Sequence, residues 1–369
     1  MSQQSPPRGR SAVILSGVPK VRRGGRDHSS LFSRVIPTTL ALILLASQSI
    51  FAAPRLQTSA ATAVTADRYF EYHSGFWINM HLFLYEEAIT RSAPPGRGRE
   101  AEFTSDSTIS ATLTGEEKTA WDAAVAYYQQ NFILLDLLTN DRMRNIKNTL
   151  EDVENSSSIS RSRLEPGLIR VLDNASTVYR THWWPTHDKA NRDWIAAAST
   201  LTQRDGSDLT RKIATAYDAS WPDAALRVDV VAYANSSGAY TTLHPTRITI
   251  SSLDPSNQKL TALEALLHEA SHTMVENVGN LVLQDYAGHR KNAPPDLLHA
   301  ILYFTSGYFV NQAHSDYIPY ADGAELWNQP RWAGFHAALI KDWQPHLEGK
   351  VPAGEALSEL VSDILAAPH

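Results

Sequence analysis

Hydrophobic residues recur at helical spacing through residues 66–219. In the segment from Lys118 to Leu138 the apolar positions fall on one face of a helix. The aromatic-rich segment from Tyr69 to Glu87 predicts a second long helix. The same spacing predicts shorter helices at 164–179, 191–201 and 209–219. This part of the chain, residues 54–222, is therefore predicted to be a helical domain.

The pattern changes after Pro222. Short runs rich in β-branched side chains, separated by turn residues, predict strands at 226–233, 240–243 and 247–251. Thr261 and Glu264 then have the spacing of a capping box, which predicts the start of a helix.

That helix is predicted to run to about Val278 and to stop at Gly279-Asn280. A second helix is predicted from Asp296 to about Asn311. Strands, helix, loop and helix after a helical region predict a predominantly helical α+β fold. Its second domain, residues 223–369, is expected to pack on the first.

Residues 1–53 have a different character. They contain seven Lys or Arg and one acidic residue, Asp27, and end in an apolar run from Val35 to Ala53. A basic region followed by a short apolar run and small residues is typical of a secretory signal peptide. The length of this run is close to the minimum for crossing a bilayer, which takes roughly 20 residues. We therefore predict a cleaved signal and a periplasmic or secreted protein, with a membrane anchor formed by residues 35–53 as the alternative.

The composition excludes several kinds of partner and site. Without residues 1–53, the chain has 26 Lys or Arg and 38 Asp or Glu, and this acidic body argues against a nucleic-acid partner. The chain of 369 residues has no Cys, which excludes disulfides, thiolate zinc sites and a cysteine nucleophile. Any metal must therefore be held by His and carboxylate side chains.

One short motif carries specific chemistry, His268-Glu269-Ala270-Ser271-His272. A spacing of four places both imidazoles on one face of a helix, one turn apart, where they can bind one Zn²⁺. Glu269 lies beside them and can take a proton from a metal-bound water as general base. The apolar flanks of the motif support a helix in a core.

This HExxH motif resembles that of the zincin metallopeptidases. The metzincin branch continues to a Gly and a third His, but Val275 and Val278 occupy those positions here. The sequence is therefore more similar to the gluzincins, thermolysin-like enzymes whose third ligand comes from the following helix. The resemblance implies a zinc peptidase acting on peptide or protein substrates. It also implies a catalytic half built from a small sheet, the HExxH helix and a third-ligand helix.

Gluzincins usually supply a Glu as third ligand, and the predicted helix 296–311 has none. Asp296, His299 and Tyr303 share one face of that otherwise apolar helix. We predict His299 as the third ligand because a neutral imidazole suits zinc. Asp296 is the alternative, although it also fits the N-cap of the helix.

Further polar residues follow the motif. Tyr303, Tyr317 and Tyr320 are candidates to donate a hydrogen bond to the developing oxyanion, and we favour Tyr303 and Tyr320. Glu276, one turn after His272, either holds an imidazole N–H or is a solvated surface residue.

Two functions fit these residues. The first is an exported zinc metallopeptidase. The second is an exported, zincin-derived binding protein without peptidase activity. Glu269 favours the enzyme, because a binding protein has no need of a general base.

Overall fold

A five-stranded mixed sheet lies at the centre of the computed structural model, which describes residues 65–92, 106, 109–235 and 237–367. The strand order is β1-β2-β3-β5-β4. The β2–β3 and β3–β5 pairs are parallel, whereas β1–β2 and β4–β5 are antiparallel. The strands are β1 (Thr65–Ala66), β2 (Phe70–His73), β3 (Leu226–Val231), β4 (Ala239–Thr242) and β5 (Arg247–Ser251).

The sheet joins the two predicted domains. Phe70 of β2 pairs with Leu226 of β3, and the described residues all belong to one compact unit. The boundary at residue 222 therefore marks a change in sequence pattern but does not separate two folded units. The predicted helix from Tyr69 is wrong at its start, because Phe70 and Tyr72 are fully buried in the sheet.

Long helices surround the sheet. They are α1 (Phe76–Ser92), α2 (Gly115–Asn131), α3 (Asp141–Val153), α4 (Pro166–His182), α5 (Trp184–Ala216), α6 (Leu260–Ser271), α7 (Glu276–Gly288), α8 (Leu297–Ala313) and α9 (Ala353–Ala366). Short helical turns include Pro255–Asn257, Tyr320–Gly323, Leu326–Asn328, Pro330–Trp332, Phe335–Ala338, Leu339–Trp343 and Gln344–Leu347. The mostly helical α+β class is confirmed.

The long helix α5 replaces the two helices predicted at 191–201 and 209–219. Gly206 lies in its interior, where a Cβ atom would come within 2.9 Å of the Tyr69 ring. The glycine thus permits a close approach to the strand region instead of ending the helix. The spacing of apolar residues could not distinguish this role from a break.

The two faces of the sheet differ in chemistry. One face is apolar, and Val228, Val230 and Ile250 pack there against α5 and α6. The other face carries charged side chains that pair with α3. On that face Arg247 lies 3.0 Å from Glu151, which also pairs with Lys147 at 2.8 Å. Part of the contact between the helical part and the sheet therefore consists of buried ion pairs.

Helix α6 has apolar residues on two sides, and both of these sides are buried. Leu266 and Ala270 pack on the sheet, while Leu263 and Leu267 pack in a second cluster with α8. The predicted helix of residues 296–311 is confirmed as α8. Its neighbour α6 is thereby held between the sheet and α8, which fixes the position of the HExxH motif.

Helix α6 ends at Ser271, before the predicted end at Val278. The hydroxyls of Ser271 and Thr273 donate to carbonyl oxygens of the last turn, at Leu267 and Ala270, which competes with further helical bonds. The predicted stop at Gly279 is wrong, because this residue lies inside α7.

The predicted signal peptide or anchor, residues 1–53, lies outside the described residues. Within the described part of the chain, no helix has both the length and the apolar character needed to cross a bilayer.

Candidate metal centre

Helices α6 and α8 pass each other in antiparallel directions. Glu264 lies against Gly307, and the His268 ring lies 4.0 Å from the Tyr303 ring. The rings of His272 and His299 are 5.6 Å apart at the other end. One face of each helix therefore lines the same site.

The three predicted histidine ligands come together. Ring nitrogen atoms of His268, His272 and His299 all lie within 4.8 Å of one another. The Nε2 atoms of His268 and His299 are 3.0 Å apart. A tetrahedral zinc ion with bonds of about 2.0–2.1 Å separates its nitrogen ligands by about 3.3 Å. The arrangement therefore fits one zinc ion with small adjustments of the rings.

The histidines are held in their neutral form, which is the form that binds metal. Burial lowers the pKa of His272 to about 4 and that of His299 to about 3. Burial and the two neighbouring imidazoles lower the pKa of His268 well below its usual value. The buried Nδ1 atom of His268 has no hydrogen-bond partner among the described residues.

Glu269 is buried beside the triad. The Thr241 hydroxyl lies 2.7 Å from its carboxylate and 2.9 Å from its backbone carbonyl, and donates to one of these oxygens at a time. Burial raises the pKa of Glu269 to about 7. Thr241 lies on β4, the edge strand, and its side chain points to the face of the sheet that contacts α6.

The candidate tyrosines occupy different positions. The Tyr303 ring packs on His268 and lies 4.8 Å from the His299 ring, and burial raises its pKa. The Tyr320 ring stacks on Tyr303 at 5.7 Å, but its hydroxyl lies beside Ser256. Both tyrosines line the site, and the hydroxyl of Tyr320 is turned towards the 255–257 turn.

A cleft of about 350 Å³, measured with its open mouth, borders the triad. Its wall includes His268, Glu269, Tyr303, Tyr320 and Glu264. The remaining wall consists of small and polar residues, Ser237, Ala239, Ser256, Asn257, Thr261 and Ala265. The cleft lies between α6, the start of β4 and the 255–257 turn.

Two candidates from the sequence lie elsewhere. Asp296 is outside the histidine cluster and is 3.5 Å from Arg331, with which it forms an ion pair. Glu276 is exposed in the first turn of α7. The structure thus groups His299, and not Asp296, with the HExxH histidines.

The sequence does not predict the roles of two residues of the site. Thr241 bonds Glu269 from a strand 28 positions earlier, and no local pattern marks it. Glu264 was interpreted as part of a capping box, but the N-cap of α6 is Lys259. The Glu264 carboxylate instead accepts a hydrogen bond from the Tyr317 hydroxyl at 2.6 Å.

Comparisons with known proteins add no assignment. No protein-family model matches the chain, and no match was found among curated proteins or solved structures.

Proposed function

We propose that the protein is an exported zinc metallopeptidase of the zincin type, with a gluzincin-like arrangement in which His299 replaces the usual Glu. The observation that carries this proposal is the convergence of three neutral imidazoles beside one buried carboxylate. His268, His272 and His299 would hold the ion. When bound, zinc supplies a Lewis acid that acidifies a water and polarises a carbonyl.

The chain's own residues perform the remaining steps. Glu269 accepts a proton from the attacking water and later delivers it to the leaving amine. Burial in the cleft supports this role, because a carboxylate with a pKa near neutrality can both take and return a proton. Thr241 keeps the carboxylate facing the triad.

Tyr303 is our first choice for stabilising the oxyanion. Its ring packs on two of the proposed ligands, so its hydroxyl is held within the cleft. A hydrogen bond aimed at the charge that develops in the transition state lowers the barrier. Tyr320 remains the second candidate, although its hydroxyl lies beside Ser256.

The test begins with the full chain purified without chelators. We expect one zinc per chain by elemental analysis and chelator-sensitive cleavage of a broad peptide library. Glu269→Gln keeps zinc and fold, because Glu269 is not a ligand, but loses activity by about 10²–10⁴-fold or more. The exposed residue Glu355 offers a matched control, and Glu355→Gln keeps full activity.

Other outcomes decide between the two functions. A wild-type protein that binds zinc and cleaves nothing in the library supports the binding-protein alternative. A protein that contains no transition metal contradicts the peptidase, whereas the binding-protein alternative does not require zinc. Equal activities of Glu269→Gln and wild type contradict the assigned base.

Export is proposed from residues 1–53 alone. The expected result is a mature protein, recovered from periplasm or medium, that begins near residue 54. N-terminal sequencing that finds a start near Met1 on membrane-bound material supports the anchor formed by residues 35–53.

A further inference from the structure

Glu264 is a buried carboxylic acid in the cleft that the proposed reaction does not use. It lies on α6, one turn before His268, and only 1% of its surface is exposed. It is not part of the histidine cluster. A buried carboxyl group is costly unless it finds hydrogen-bond donors, so its partners indicate what it does.

Both of its donors come from the Tyr317–Tyr320 segment, which follows α8. The Tyr317 hydroxyl donates to Glu264 Oε2 at 2.6 Å, and the backbone N–H of Tyr320 donates to the same oxygen at 3.0 Å. One carboxylate therefore holds two points of this segment.

The contact is closely packed on its other side. Gly307 of α8 faces Glu264, and a Cβ atom there would lie 2.7 Å from the Cβ of Pro319 and 3.2 Å from Glu264 Oε1. The absence of a side chain at Gly307 lets the segment and the carboxylate meet against α8. The segment therefore has one tightly defined position.

That position places Tyr320 across the cleft. The Tyr320 ring stacks on Tyr303 at 5.7 Å, and its hydroxyl lies beside Ser256 on the opposite side. Tyr320 thus spans from the Glu264 contact to the 255–257 turn and forms one wall of the cleft. A movement of the segment would change the shape of the space that a substrate occupies.

We propose that Glu264 is a positioning residue that fixes the Tyr317–Tyr320 segment and thereby shapes the substrate-binding side of the cleft. This inference rests on the proposed peptidase function. Glu264 acts on substrate binding through Tyr320, and it is not among the residues that would hold the ion. Its loss should therefore raise KM more than it lowers kcat.

The first experiment measures the segment itself and needs no activity. Amide hydrogen exchange is followed in the full zinc-loaded chain and in Glu264→Leu, Glu264→Gln and Tyr317→Phe. In Glu264→Leu, exchange of the Tyr320 amide accelerates by about 10-fold or more, since the buried acceptor of its hydrogen bond is lost. Glu264→Gln retains an acceptor oxygen and keeps most of the protection. Tyr317→Phe gives an intermediate acceleration.

A matched control is Tyr308→Phe. It removes a hydroxyl from α8, the helix that precedes the segment, on a side that faces Glu348. Exchange of the segment should not change in this variant. Unchanged exchange in both Glu264→Leu and Tyr317→Phe overturns the proposal. Because Tyr317→Phe leaves Glu264 in place, it decides the matter even where Glu264→Leu fails to fold.

The second experiment measures peptide cleavage. Glu264→Leu and Tyr317→Phe raise KM by about 10-fold and change kcat by less than about twofold, and Glu264→Gln restores KM. A fall in kcat with unchanged KM overturns the positioning role. If wild type cleaves no peptide, the proposed function fails, and the exchange experiment alone decides whether Glu264 holds the segment.

Discussion

Histidine side chains lie in two polar clusters in different parts of the molecule, and their hydrogen bonds differ. In the helical part, His187 has a partner on each ring nitrogen, the Tyr179 hydroxyl at 2.9 Å and the Asp106 carboxylate at 3.2 Å. In the metal centre, His268 has no partner for Nδ1 among the described residues, and its Nε2 faces the Nε2 of His299.

The difference separates a structural cluster from a candidate ligand set. Around His187 each donor meets an acceptor, so the cluster joins α4 and α5 to Asp106 at little electrostatic cost. At the metal centre, neutral nitrogen atoms converge on one another. A proton or a cation between these nitrogen atoms would stabilise their lone pairs most. Burial of histidine alone therefore does not identify a site, whereas the convergence of three imidazoles does.

Alanine substitutions in the two clusters should affect different properties, zinc affinity at the metal centre and stability around His187. His299→Ala removes one of three ligands, so zinc affinity falls by more than the 10–100-fold typical of changes around the ligands. His187→Ala keeps one zinc per chain but lowers the free energy of unfolding by about 3 kcal/mol, since a buried ring and two hydrogen bonds are lost. Competitive zinc titration and denaturant unfolding of the metal-free protein measure both effects.

The matched control is Asp296→Ala, which removes the residue that pairs with Arg331. We expect it to bind zinc as wild type does. Loss of zinc in Asp296→Ala together with retention in His299→Ala would show that Asp296 is the third ligand. The metal centre would then need to rearrange around the end of α8.

A smaller effect is expected when the hydrogen bond that holds the general base is removed. Thr241→Val removes the hydroxyl that holds Glu269, so kcat should fall by about 10–100-fold from misplacement of the base. Zinc content should stay the same. Thr241→Ser restores the hydroxyl and should recover most of the activity. Equal kcat values for the Val and Ser variants would contradict a positioning role for Thr241.

Two buried carboxylates, one in the cleft beside the metal centre and one beside His187, have opposite pKa shifts. Burial raises the pKa of Glu264 to about 7, from a usual value of 4.5. Burial alone would raise the pKa of Asp106 as well, but hydrogen bonds and charge from His187, with a further hydrogen bond from Tyr233, lower it. The two groups should therefore change protein stability in opposite directions as pH rises.

For Glu264, the folded protein binds a proton more tightly than the unfolded chain between pH 4.5 and 7. Its stabilising contribution is fully present below pH 4.5 and is lost as pH rises through 7. The slope reaches at most about 1.4 kcal/mol per pH unit. The difference in unfolding free energy between wild type and Glu264→Gln isolates this contribution. A difference that stays constant between pH 4.5 and 7 would contradict the raised pKa.

Local spacing predicted the parts of the site that lie on single helices. His268 lies on α6 and His272, one turn later, is the C-cap residue of that helix, while His299 and Tyr303 are one turn apart on α8. Such i, i+4 pairs share a face whatever the rest of the fold is. The strands β3 and β5 were predicted for a related reason, because runs of β-branched residues favour the extended backbone.

Contacts between distant segments could not be predicted in this way. The spacing of Thr261 and Glu264 fits a capping box, yet the carboxylate turns to Tyr317, 53 positions later. Aromatic residues such as Phe70 and Tyr72 occur in helices as well as in strands. Tertiary packing decided these cases, and the local sequence contains no information about the partner segments.

The pairing of β2 with β3 has a consequence for the order of folding. Phe70 must find Leu226 after the whole helical part of the chain has been made, and closing so long a loop is entropically unfavourable. Helix α6 packs on the apolar face of the completed sheet. We therefore expect the support of the histidine centre to be complete only when both ends of this long connection have met. A chain that begins at residue 223 would leave one side of β3 as an unpaired, aggregation-prone edge.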